Sequence, residues 1–232
     1  MSESIDDLLR EVEARSAPRG EVESVAGTVT AELADEFPGL GIRYLVVERG
    51  SGRSPKAVKD RLRVLSNRFS GPQAITLRQK PIPWAYRVFY RHIGLDPDRT
   101  LTPVEQASLD RMKQGSFKSE NLLDDALTIG IVESGVALRA FDADKVSGGL
   151  ALRASQPGEI LAGRPGELDS GTLVIADERR PLALLFGATG EGLGVHPKTK
   201  RTLLAAVLVK GVSDIVAEEA LWIAATVMRS AG

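Results

Sequence analysis

The chain has 232 residues, 43% of them hydrophobic, with two histidines and no cysteine. That is enough apolar side chain for one substantial core; it excludes disulfide frameworks and thiolate chemistry, and His92 and His196 give no metal-ligand spacing. A formal charge of −1 argues against a general nucleic-acid binder, because non-specific affinity comes from neutralised phosphates.

The acidic start, MSESIDDLLREVE, lacks the basic-then-apolar order of a signal peptide. The longest apolar runs, residues 203–209 and 221–228, are too short to span a bilayer. A cytoplasmic protein without membrane contact is expected. Ser4 with Asp7 caps a first helix through Arg15, and the composition marks residues 1–29 as an acidic helical extension ahead of one domain, 30–232. Residues 42–49, IRYLVVER, read as a strand. Ser54 and Pro55 open a basic helix that ends before Gly71, and Pro83 begins another that runs through His92 and stops at Gly94. Thr102, Pro103 and Glu105 supply an N-cap, an N1 proline and an N3 carboxylate for a helix to Lys113.

From there the character changes. Short runs rich in Val, Ile, Leu and Thr, separated by Gly, Pro and Asp clusters, predict strands at 127–132, 149–154, 172–176, 182–186 and 203–209. A last apolar-periodic stretch, 214–228, reads as a helix capped by Ser213 or Asp214. Helices in the first half and strands in the second predict an α+β fold rather than a wound parallel sheet.

Charge is unevenly spread. Residues 3–36 hold ten acidic side chains against Arg10, Arg15 and Arg19, whereas residues 52–91 hold ten basic ones, among them Arg61, Arg63, Arg87 and Arg91, against Asp60 alone. The basic stretch is either an RNA-facing surface or a solvated face neutralised by the acidic one. Trp84, Tyr86, Phe89 and Tyr90 interleave with Arg87, Arg91 and His92. At helical spacing Tyr86, Phe89 and Tyr90 form a buried stripe, which leaves Arg87 and Arg91 to solvent or RNA. The glycine-rich run LALLFGATGEGLG, residues 182–194, is followed by a further strand rather than a long helix and has no P-loop lysine, so a nucleotide site is not expected there.

The segment ALRAFDADKVSGGLALRASQPGE, residues 137–159, resembles the B3/B4 module of the bacterial phenylalanyl-tRNA synthetase β subunit. The likeness continues through TLVIADERRPLALLFGATG (172–190) and GVHPKTKRTLLAA (194–206) and covers 30–215 in all, with YRVFYRHIGLDP and TPVEQASLDRM similar to the leading helices of free-standing B3/B4 proteins. It implies a B3/B4-like α+β domain without a synthetase catalytic domain. It also implies a function in aminoacyl-tRNA quality control: binding the aminoacylated 3′ end of tRNA and hydrolysing a mischarged ester, which would make the protein an aminoacyl-tRNA deacylase. The alternative is a module that binds tRNA or an amino acid without catalysis. No cofactor, metal or DNA partner is implied.

Editing by this family works through positioning of the ester and an ordered water. The resemblance places the pocket wall at Gly187 and Ala188, and places the family's asparagine, histidine and glutamate reading groups at Thr128, Arg139 and Ala205. None of the three is retained, so recognition of a tyrosine hydroxyl is not expected. Arg139 is expected to face a concave pocket between the 187–194 loop and the Thr128 strand. There it either anchors a terminal phosphate or substrate carboxylate, or pairs with Asp142 or Asp144. Asp142, Asp144 and Gly149 read as turn chemistry, and Arg153 with Glu159 as a scaffold ion pair. Asp124 and Asp125, taken as neighbours in a strand, would point to opposite faces and form no dyad.

Overall fold

The computed structural model describes residues 23–69 and 76–230; the helix expected at 4–15 lies outside them. Two four-stranded sheets carry the fold. The first runs β1 (Val25–Ala26), β3 (Gly41–Val47), β8 (Thr202–Leu208), β4 (Ala137–Asp142), antiparallel throughout. The second runs β2 (Thr28–Val29), β5 (Ala151–Ala154), β6 (Leu173–Ala176), β7 (Pro181–Leu184), with only β2 and β5 parallel. Residues 25–29, the end of the expected extension, thus enter both sheets in turn. Gly27 makes the crossing, donating its N–H to Ile42 while Thr28 donates to Leu150.

Among the described residues, five longer helices and a short one complete the α+β architecture. They are α1 (Ala31–Glu36), α2 (Lys56–Arg68), α3 (Pro81–His92), α4 (Pro103–Gln114), α5 (Leu122–Ser134) and α6 (Asp214–Arg229). The start of α4 is the capping box expected from sequence, with Thr102 and Glu105 bonded reciprocally and Gly115 in the left-handed conformation closing the far end. Both α5 and α6 cover one face of the first sheet, where Gly130 lets Leu138 and the Ala220 carbonyl come close. All seven residues of β8 are buried, as the central strand of a sheet covered on both faces must be.

Residues 127–132, expected as a strand, lie inside α5. The helix is packed on several sides, by β4, α6, α2 and α4, so its apolar residues are spread round it and its periodicity is weak. Its start signal is Asn121, whose side chain accepts from the Asp124 N–H. Asp124 and Asp125 therefore stand on a helix. Asp124 is exposed, while Asp125 is buried and accepts from Ser119, Ser54 and the Glu120 N–H.

Candidate functional site

Register builds the site. Across the first sheet Tyr44 pairs with Ala205, and Ala205 with Arg139. Directly opposed side chains share a face, so these three form one row. Because Leu138 points toward α5, Arg139 points the other way, toward the second sheet. There the Tyr44 hydroxyl comes up against Gly149, and the Arg139 guanidinium donates to the Gly187 carbonyl at 2.8 Å and to Thr189 Oγ1 at 3.0 Å.

Arg139 is half-buried and, among the described residues, is held by these neutral acceptors without a carboxylate in ion-pair range. The alternative pairing with Asp142 or Asp144 is not formed. Asp142 takes Thr199 Oγ1 at 2.7 Å and the Asp144 N–H, and Asp144 takes Arg201 at 3.1 Å. Burial pulls the Arg139 guanidinium below its ordinary range, and the neighbouring Tyr90 opposes that shift. Burial also pushes the Tyr90 phenol up, with Arg139 opposing. Tyr90 is 1% exposed, yet its hydroxyl makes no hydrogen bond with any described residue. Its ring packs on Phe186 at 4.7 Å, and Phe186 leads directly into the exposed Gly187 and Ala188.

The expected site residues divide accordingly. Arg139, Ala205 and Gly187 come together, with Ala188 beside them; Ala205 is fully buried, so it underlies the guanidinium rather than lining an open wall. Thr128 does not join them. On α5 it lies across the sheet and lines a separate depression with Arg111 and Asp124. Tyr44, Tyr90 and Thr189 were not expected. Tyr44 and Ala205 meet only through the β3–β8 pairing, across a sequence separation that no local pattern reveals.

The basic residues divide too. Arg87, expected to face solvent or RNA, is buried: it bonds Glu105 at 2.7 Å, Asp98 at 2.6 Å and the Pro97 carbonyl, pinning α3 to the start of α4. Arg61 grips Glu133 of α5 with two nitrogens. Arg63 is largely exposed with Asp60 one turn away, and Arg91 is exposed with its guanidinium 5.6 Å from the centre of the Trp84 ring. Tyr86, Phe89 and Tyr90 are buried, the core alternative of the aromatic stripe. Arg153 pairs with Glu159 at 2.7 Å and joins β5 to the loop after it.

These elements make an α+β domain in which two sheets meet over an arginine anchor, with helices leading into it. The chain belongs to the B3/4 domain family, whose model matches residues 85–221. It is similar to the phenylalanine–tRNA ligase beta subunit of Yersinia pestis, 35% identical over 100 residues, covering 41% of this chain and 12% of that protein. The subunit from Aquifex aeolicus is 38% identical over 97 residues, covering 40% of this chain and 12% of that protein. The chain thus spans about an eighth of the length of these curated relatives. Among solved structures, an N-terminal fragment of the phenylalanyl-tRNA synthetase beta subunit from Pyrococcus horikoshii aligns over 91% of this chain and 51% of the fragment, at 17% identity and a TM-score of 0.44. Among the described residues no helix is long and apolar enough to cross a membrane.

Proposed function

We propose that the protein binds the aminoacylated 3′ end of tRNA at the Arg139 anchor and releases a mischarged amino acid by ester hydrolysis. The observation that carries this reading is the guanidinium of Arg139, half-buried beside the buried Tyr90 and without a carboxylate partner among the described residues, within a B3/4 domain whose curated relatives are subunits of a tRNA ligase. A charge so placed calls for an external anion. The 3′-terminal phosphate supplies one, and the exposed backbone of Gly187 and Ala188 lies next to it for the ester.

Turnover in this reading rests on a positioned water. Among the described residues, the side chains placed at the anchor are Tyr44, Tyr90, Thr189 and Ala205, none of them a general base, and burial keeps the Tyr90 phenol protonated, a donor rather than a base. That same lack of a general base favours a second reading, in which the end is bound without hydrolysis. Binding and deacylation measured in parallel on a panel of correctly and wrongly charged tRNAs separate the two. Binding with turnover of a mischarged species supports the first, saturable binding with every ester intact supports the second, and no affinity at moderate salt removes both. Tyrosyl esters should not be the favoured substrate, because Arg139 and Ala205 stand where the family's hydroxyl-reading histidine and glutamate are expected.

A further inference from the structure

The loop at Phe186 and Gly187 has two working sides. One holds the Gly187 carbonyl against Arg139; the other closes a cavity of about 570 Å³ between α1, the end of α3 and the second sheet. A space of that size holds a molecule of amino-acid dimensions. Its walls are mainly apolar, with Leu33 from α1 and Phe37 just after it, Ile93 and Leu95 from beyond the end of α3, and Leu184 and Phe186 from the other side.

Among the described residues two ionisable side chains line it, Glu36 and His92. Neither makes a hydrogen bond or ion pair with any described residue. No lysine or arginine among the described residues lines it, and Arg91, next to His92, lies over the Trp84 ring. Glu32 and Asp35 add to the negative charge of α1. An anionic, apolar-walled cavity disfavours phosphate and carboxylate groups and favours a cation whose body is apolar.

We propose that this cavity binds a small molecule bearing one ammonium on an apolar body, of the size of an aliphatic amino-acid amide. Glu36 receives the ammonium, and Phe37, Ile93 and Phe186 enclose the body. A free zwitterionic amino acid fits less well, since its carboxylate would enter a space whose one basic lining group among the described residues is His92. The assignment does not rest on tRNA-end binding at Arg139, from which the shared Phe186–Gly187 wall separates it.

Isothermal titration calorimetry of the full chain with L-leucinamide tests it, with 4-methylpentanamide, the same body without the ammonium, and L-leucine as comparisons. Leucinamide should bind saturably and more tightly than either. Glu36→Gln should weaken it about tenfold, the loss of one charge-assisted contact at a solvent-accessible carboxylate. Ala154→Met, which adds side chain at the cavity wall, should abolish it. Should that variant fail to fold, as circular dichroism would reveal, Glu36→Gln on the exposed surface of α1 decides alone. Arg139→Ala should leave leucinamide binding intact, and Glu36→Gln should leave tRNA binding intact, so the two sites fail independently. Absence of heat at millimolar ligand, equal binding of 4-methylpentanamide, indifference to Glu36→Gln, or loss on Arg139→Ala would each overturn the assignment.

Discussion

Two arginines show how a partner decides what a residue is for. Arg139 donates to a carbonyl and a hydroxyl at the loop surface, so its removal orphans no carboxylate among the described residues. Arg139→Ala should therefore weaken binding of the tRNA end by about 1–3 kcal/mol, the range of a charge-assisted hydrogen bond, while the melting temperature stays nearly unchanged. Filter binding beside a thermal melt checks this; a variant that melts several degrees lower and binds normally would make Arg139 part of the scaffold. Arg87 is the opposite case. Its guanidinium and the Glu105 carboxylate are 5% and 4% exposed, and Glu105 also caps α4. Arg87→Ala strands that carboxylate in the core, at a cost of about 3 kcal/mol, the lower end for a broken buried pair because Arg78 still reaches Glu105. A urea midpoint measures it, with RNA affinity expected to follow only the folded fraction. From sequence Arg87 reads as a solvent-facing member of an aromatic helix, since its partner lies 18 residues on and local spacing carries no trace of it.

At the scale of elements, the helix ends are the most legible features. Thr102, Pro103 and Glu105 act over four residues of chain, and capping chemistry is local by nature. Helix α5 is not legible, because packing against β4, α6, α2 and α4 gives its 127–132 stretch the Leu, Ile and Val content of a core strand. Helix α2 shows what local charge can and cannot say. Its basic residues are real, yet Arg61 is committed to Glu133, while Lys56, Lys59, Arg63 and Arg68 are exposed. If this face meets RNA, neutralising Lys56, Lys59 and Arg63 together should lower tRNA affinity and reduce the slope of log affinity against log salt by about one for each phosphate that is no longer neutralised. Arg61→Gln should instead loosen the α2–α5 packing and leave the slope as it was. A salt series on both variants separates the two roles, and an unchanged slope in the triple variant would remove α2 from the RNA surface.

For the whole molecule, the α+β class follows from the order of helix and strand signals, but the pairing of two sheets does not, because β1 and β2 are two residues each and carry no periodicity of their own. Their junction joins the two sheets at the edge opposite the one where Arg139 of β4 reaches Gly187 after β7. At Gly27 the chain passes from one sheet to the other, and a methyl group there would stand 2.5 Å from the Leu150 carbonyl oxygen and 2.5 Å from Ile42 Cγ2. The backbone conformation at Gly27 is not left-handed, so the obstacle is purely one of space between the sheets. Gly27→Ala must push β2 and β5 away from β3, and so alter the spacing of the two sheets that Arg139 bridges at their opposite edge to reach Gly187. The expected loss is about 3 kcal/mol, the upper end of overpacking costs because a carbonyl cannot rotate aside as a side chain can. Gly94→Ala is the control: that glycine is left-handed with nothing within 4 Å, so only its conformational cost of about 1 kcal/mol should appear. Urea denaturation with an unchanged m-value should show both losses, and only Gly27→Ala should also reduce tRNA-end binding in the folded protein. Equal stability of the two variants would mean that the sheets tolerate separation and that Arg139 does not depend on their spacing.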